Sequence, residues 1–403
     1  MSNSLTQRQF LQLVAQTSEE PLMVEVASAE GCYIYDQKGK KYFDLIAGIG
    51  VSSVGHRHPA VIDAIKVQAD KNLHVMVFGE FIQTPQVKLA EALCKTLPDP
   101  LEVTYFVNSG SEAAEGALKL AKRYTGRFKM ISCIDGYHGS SHGALSASGN
   151  EMLKQNFRPL LPGFQHIAFG NVSSLDLIDF KTAAVIIETV QGEAGVRMAN
   201  KAYFKKLREK CSKTGALLIL DEIQCGFGRT GKLWAFEHYG IQPDILLAAK
   251  GMGGGMPIGC FISSKEIMSS LKQNPILGHI TTFGGHPIST AASLATLETI
   301  QNENLIDQVA GKALLFKKLL KHDLIKSIRN QGLLMAVEFE SYEVLKRIID
   351  RALEAGIITD WFLFCNNSMR IAPPLTISEI EIKEVCQTLL KSIEWVSKNP
   401  LSC

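Results

Sequence analysis

The chain has 403 residues, 46% of them hydrophobic and 20% charged, with a formal net charge of +2. That balance excludes a disordered chain or a nucleic-acid-coating protein, and the length allows a large core, expected as one large domain plus a smaller one. Nine cysteines are scattered without a Cys-x-x-Cys pair or a zinc spacing, which points to a reducing compartment. The N-terminus lacks a signal-peptide pattern, and no run approaches the ~18 apolar residues of a membrane span. A cytoplasmic location is expected, with neither membrane nor nucleic acid as a partner.

Residues 1–20 have helical spacing, with Phe10, Leu11, Leu13 and Val14 on an apolar face expected to pack on the body. Alternating aromatics on either side of Asp36–Lys40 predict a β-hairpin turning at Gly39. Helices are expected from Pro59 to about Ala69 and from Pro85 to about Leu97. His56 and His58, between hairpin and helix, lack a third ligand at a recognisable spacing and do not suggest a metal site.

Val103–Val107 reads as a strand, and Asn108-Ser-Gly-Ser-Glu112 turns directly into a helical pattern, with Ser109 and Glu112 spaced as a capping box. A strand, a Gly/Ser turn and a helix N-terminus make a phosphate cradle, because the first turn offers free N–H groups and a positive dipole end. The same residues also suit a plain capped helix. From Phe128, strands and helices alternate through 129–133, 164–167, 182–188, a helix near 202–214, and the apolar run Ala216–Leu220, which argues for a mostly parallel sheet covered on both faces. A long helix follows from Pro287, breaking near Asn304. The C-terminal part reads as an α+β unit: one strand over 325–339, a helix from Ser341, strands near 357–364 and 369–371, and a last helix from Ser378 to about Ser397.

Two stretches carry the chemistry. Asp221 closes a buried run, where open α/β sheets place their ligands, and Lys250 closes the run LLAA. Alone, Lys250 suits an exposed strand end. A buried lysine, however, has a lowered pKa and is nucleophilic, and it suits a Schiff base. Gly226–Gly231 satisfies the G-x-G-x-x-G pattern, yet no capped helix follows it and no acid closes a second strand, so a dinucleotide site is not expected. Leu233 stands where a phosphate-binding P-loop needs Ser or Thr, which excludes that reading. His138 and His142 lie in the Gly/Ser-rich HGSSHG, where a helix and a zinc site are not expected. Among cofactors, pyridoxal phosphate requires the whole set: a lysine for its aldehyde, an acid for its pyridine nitrogen and N–H donors for its phosphate.

DEIQCGFGRTG, LLAAKG, ETVQGEAG, NSGSEAAEGALKLAK, GYHG, TTFGGHP and MRIAPPL resemble, in order and spacing, the class III pyridoxal-phosphate aminotransferases, the branch of ornithine, acetylornithine and 4-aminobutyrate aminotransferases. The resemblance covers about residues 31–375. It implies an α/β fold-type I architecture: a large domain around a mostly parallel seven-stranded sheet (59–300) and a small α+β domain from both chain ends (1–58 and 301–403). It also implies a homodimer with sites at the subunit interface.

The resemblance assigns Lys250 to the Schiff base and proton transfer, and Asp221 to the ring nitrogen. It gives Ser109, Gly110 and Ser111 to the phosphate, Tyr137 to ring stacking, His138 and Glu188 to positions close to the ring, and Gln224 to the ring hydroxyl. Thr282 would reach the phosphate of the neighbouring subunit, Arg370 would hold a substrate carboxylate, and Glu193 would cover Arg370 when an amine occupies the pocket. The chain departs from the branch at Ser140, where an arginine is typical, and Arg158 is a substitute to test. The expected reaction carries an amino group from an amino acid or ω-amine to a 2-oxo acid, 2-oxoglutarate first. The alternatives are an ω-amino acid or amine transaminase with a different acceptor, and an aminomutase or racemase on the same lysine and acid. A non-catalytic regulatory protein lacks support, since no DNA-binding segment or basic tail is present.

Overall fold

The computed structural model describes residues 4–77 and 79–400. Three strands near the N-terminus, β1 (Val26–Glu30), β2 (Tyr33–Asp36) and β3 (Lys41–Asp44), precede the central strands. These are β4 (Val103–Val107), β5 (Lys129–Cys133), β6 (Phe164–Ile167), β7 (Thr182–Glu188), β8 (Leu217–Asp221), β9 (Ile245–Ala249) and β10 (Gly259–Ser263). The C-terminal strands are β11 (Ser327–Gln331), β12 (Leu334–Glu338), β13 (Ile357–Ile358), β14 (Trp361–Phe362) and β15 (Cys365–Ile371).

The central sheet has the order β4-β10-β9-β8-β7-β5-β6. Every pairing is parallel except those of β10, which runs antiparallel to both β4 and β9. Strands β7 to β10 are buried along their whole length, as their unbroken apolar sequences require of strands covered on both faces. The helix Gly110–Thr125 lies against β9 and β10 through a stripe that includes Ala113, Ala117 and Ala121. Ser109 caps its start, and Gly126, at φ 67°, ends it in the left-handed region. Gly116 lets this helix sit close to the sheet, since a Cβ there would come 2.3 Å from the Phe261 ring.

The four-stranded sheet β1-β2-β3-β13 joins an N-terminal hairpin to a C-terminal strand, with β13 parallel to β3. The predicted turn holds because Asp36 Oδ1 accepts from the amides of Lys38 and Lys40. A second four-stranded sheet has the order β11-β12-β15-β14. The N-terminal helix covers only Leu5–Leu13, and none of its residues is buried, so Phe10, Leu11, Leu13 and Val14 do not pack on the body as expected. Residues 1–3 of that expected helix lie outside the described residues. The single strand expected over 325–339 is instead the hairpin β11–β12, because Gly332, at φ 57°, turns the chain back on itself. Among the described residues, no helix is long and apolar enough to cross a membrane.

Candidate active site

Strands β4, β5, β7, β8 and β9 all deliver their carboxyl ends to one edge of the sheet. There a cavity of about 640 Å³ is lined by Ser109–Ser111, Tyr137, His138, Glu188, Glu193, Asp221, Gln224 and Lys250. The sequence placed these residues at the ends of different elements, and the sheet brings them to one place.

The cradle at the start of the helix Gly110–Thr125 forms as predicted in one half only. Ser109 Oγ accepts from the Glu112 amide at 3.2 Å, but the Glu112 carboxylate bonds the backbone and side chain of Asn108 instead of closing the box on Ser109. Two glycines keep the surroundings tight. A Cβ at Gly139 would come 2.4 Å from Ser111 Oγ, and one at Gly259 would come 2.4 Å from the Ser109 carbonyl oxygen.

Asp221 is buried at the end of β8. Its Oδ2 lies 2.8 Å from His138 Nδ1, and its Oδ1 accepts from the Ile223 amide. His138 is itself fixed, since its amide donates to Ser148 Oγ. A helix does begin at His142, contrary to expectation: the Glu115 carboxylate accepts from the amides of Gly143 and Ala144 and so caps its N-terminus. His138 lies before that helix and faces Asp221, so the two histidines form no pair. Among the described residues, no cluster of three or more His, Cys, Asp or Glu is placed to hold a metal.

Glu188 lies beside Asp221 in the β7–β8 register and accepts from the amides of Tyr137 and Gly192. Burial pushes its carboxyl up to about 7; the Asp221 charge adds to the rise, while His138 and the two amides oppose it. Lys250 follows β9 in a left-handed conformation, φ 47°, which a lysine adopts only where its surroundings force it. The side chain borders the cavity and is only partly covered by area, yet its amine sits deep enough that desolvation lowers its pKa against the pull of Glu193, Asp221 and Glu188. Tyr137 reaches Ser140 Oγ with its hydroxyl at 3.2 Å.

At the cavity wall, Glu193 makes a bidentate pair with Arg370, which lies behind it, both bonds 3.0 Å. Glu193 Oε1 also accepts from Gln224 Nε2, and Oε2 from the Leu363 amide. Burial would raise the Glu193 carboxyl, but Arg370, Lys250 and Gln224 together hold it at about 2. Sequence reasoning missed Asp360, whose Oδ1 lies 2.8 Å from Arg370 Nε. No local pattern marks it: it stands ten positions before Arg370, and only the hairpin β14–β15 brings the two together.

Two other expectations do not meet at the cavity. Arg158 is half exposed and paired with Glu151, so it does not replace the arginine missing at Ser140. Thr282 is exposed and away from this cavity. Gly226–Gly231 is a loop without a following α-helix, in keeping with the rejected dinucleotide reading. Arg229 from that loop is buried and donates to the carbonyls of Leu333 and Pro373, tying the loop to the C-terminal part.

The sequence model of the family described as aminotransferase class-III matches residues 14–393. The acetylornithine aminotransferase of Methanopyrus kandleri is 38% identical over 373 residues, covering 92% of this chain and 94% of the relative. Among solved structures, the ornithine aminotransferase of Toxoplasma gondii superposes with a TM-score of 0.90 at 31% identity, covering 98% of this chain and 95% of that one. A second structure of that enzyme, described as having partial occupancy of pyridoxal phosphate at its active site, gives a TM-score of 0.90 at 30% identity, with 97% and 94% covered.

Proposed function

Because the chain belongs to the class III aminotransferases, it is a pyridoxal-phosphate-dependent transaminase, and we propose that this cavity is where it works. In this reading it takes an amino group from an ornithine- or acetylornithine-like donor, or another ω-amine, and gives it to a 2-oxo acid such as 2-oxoglutarate, in two half-reactions. The observation that carries the proposal is the convergence of a buried carboxylate, a partly covered lysine and a helix N-terminus on one cavity.

The residues fit the cofactor. Gln224 lines the cavity, where its side chain would lie near a ring hydroxyl. The Ser109–Ser111 cradle would hold the phosphate through its free amides and hydroxyls. When bound, pyridoxal phosphate supplies an aldehyde carbon for the amine and a ring that draws electrons from the substrate carbon. Asp221, held in place by His138, would keep the ring nitrogen protonated. Tyr137 would stack on the ring, and Glu188 would lie beside it. Lys250, its amine made less basic by burial, would tether the aldehyde and, once displaced by the donor, carry the substrate proton on Nζ. Arg370 would take a substrate carboxylate when Glu193 moves aside, and Glu193 would cover it when an amine-bearing chain is present.

A homodimer completes this reading. The His74 ring packs against Phe283 at a tilt, 4.9 Å between ring centroids, and Gln86 donates to the Gly285 carbonyl, so the stretches around residues 74 and 86 adjoin the 276–286 segment. Together they expose Phe81, Ile82, Ile276, Leu277 and Phe283. Thr282 lies in this surface, where it would reach the partner's phosphate site.

Incubation with donor alone tests the reaction. It should release one carbonyl product per site and leave the cofactor as its amino form. An unchanged cofactor with slow appearance of an isomer would replace the transaminase mechanism with an aminomutase or racemase. Arg370→Ala should retain cofactor and raise the half-saturating concentration of 2-oxo acids at least tenfold, measured in the second half-reaction.

A further inference from the structure

Three consecutive residues that do not line the cavity grip Arg370. Its Nε donates to Asp360 Oδ1 at 2.8 Å, its Nη2 to the Trp361 carbonyl at 3.4 Å, and its Cζ lies 4.5 Å from the centre of the Phe362 ring. The backbone repeats the attachment, since the Arg370 amide donates to the Asp360 carbonyl at 2.9 Å and Thr359 Oγ1 donates to the Arg370 carbonyl at 2.6 Å. Arg370 also sits inside β15, paired through Ala336 to β12. None of these contacts involves Glu193.

We propose that Asp360, Trp361 and Phe362 form a fixed cradle that aims the Arg370 fork at the cavity, with Asp360 holding its Nε so that both Nη atoms stay presented to whichever carboxylate, Glu193 or substrate, occupies the fork. The proposal rests on the reading of Arg370 as the carboxylate clamp. The physical reason is an asymmetry between the two partners. Withdrawing Arg370 would strip both Glu193 and Asp360 of their cation and leave two largely buried carboxylates side by side, a costly arrangement. Withdrawing Glu193 takes one carboxylate of a cavity-lining loop towards the open space of the cavity, while Asp360 still neutralises the guanidinium. With Nε occupied and the plane seated on Phe362, the two Nη atoms are left facing the cavity in the geometry that binds one carboxylate bidentately. Asp360 is thus a positioning residue. Its charge acts about equally on Glu193 and on the carboxylate that replaces it, so its charge largely cancels from the exchange and its geometry does not.

The test uses the enzyme loaded with pyridoxamine 5′-phosphate and follows the second half-reaction by absorbance with two acceptors: 2-oxoglutarate, and butanal, which has no carboxylate. For Asp360→Ala we expect the half-saturating 2-oxoglutarate concentration to rise at least tenfold, the limiting rate to stay within about twofold, and the butanal reaction to be unchanged. Asp360→Asn keeps an acceptor for Nε and should stay within threefold of wild type. Equal effects on both acceptors, no effect of Asp360→Ala, or an Asn variant as weak as the Ala variant would overturn the cradle. Arg370→Ala in the same assay separates the two readings. If it weakens 2-oxoglutarate and Asp360→Ala does not, the clamp stands and the cradle falls. If it changes nothing, both fall.

Discussion

Lys250→Ala should lower turnover by at least ~10²-fold, the lower range for loss of a positioned acid–base group, and should abolish the covalent attachment of cofactor to protein that borohydride otherwise fixes. Near-wild-type turnover would reject its role. A pH experiment addresses Glu188. Its folded-state pKa is raised to about 7, above the usual glutamate value of 4.5, so the folded protein holds a proton that the unfolded chain has released between those values. The stabilisation is fully present below about 4.5 and is lost as pH rises through 7. In cofactor-free protein, Glu188→Gln should therefore gain in melting temperature relative to wild type as pH goes from 5 to 7.5. A difference that does not change with pH would contradict the assignment. At this scale the sequence was readable where a charge ended an apolar run, as at Asp221 and Lys250. It was silent on Asp360, and although the resemblance placed His138 close to the ring, nothing local showed its bond to Asp221, because these contacts are made between residues far apart in the chain.

Among elements, the strand β10 and the cradle depend on one another. Gly259 pairs with Val107 on one side and Ala249 on the other, between the end of β4 and Lys250. A Cβ there meets the Ser109 backbone, at 2.4 Å from its oxygen and 2.8 Å from its carbon, and backbone gives way less readily than a side chain. Gly259→Ala should therefore weaken cofactor binding at least tenfold in an absorbance titration while leaving the far-ultraviolet circular dichroism unchanged, against an overpacking cost of about 1–3 kcal/mol. Unaltered affinity would show that the cradle tolerates the shift. Element boundaries were legible where caps and glycines marked them. The helix Pro59–Ala69 and the strand Val103–Val107 fall where their sequences place them. The N-terminal helix was overdrawn because spacing describes an apolar face and not what covers it. The β11–β12 hairpin was read as one strand because Gly332 interrupts a pattern that is apolar on only one side.

At the scale of the whole molecule, the proposed dimer rests on the apolar surface of Phe81, Ile82, Ile276, Leu277 and Phe283. Ile82→Asp and Ile276→Asp together should shift the solution mass from about twice 44.2 kDa to 44.2 kDa and reduce activity, as measured by light scattering and turnover. A variant that stays dimeric would place the interface elsewhere. The class of the sheet followed from alternating strands and helices. The antiparallel placement of β10 between β4 and β9 did not, since nothing local to residues 259–263 distinguishes that strand from a parallel one; its partners decide its direction.

That strand also imposes an order in time. During synthesis, β4 emerges early but has no sheet neighbour until residues 259–263 leave the ribosome, a delay of roughly 8–30 seconds at ~5–20 residues per second. The 103–107 edge must stay soluble through that interval, with its amides unpaired. Arg370 emerges later still, so the nascent chain can complete its cradle and lysine before the arginine and its three supporting residues exist. On the roles proposed above, the residues for the cofactor and those for the carboxylate are therefore synthesised at different times.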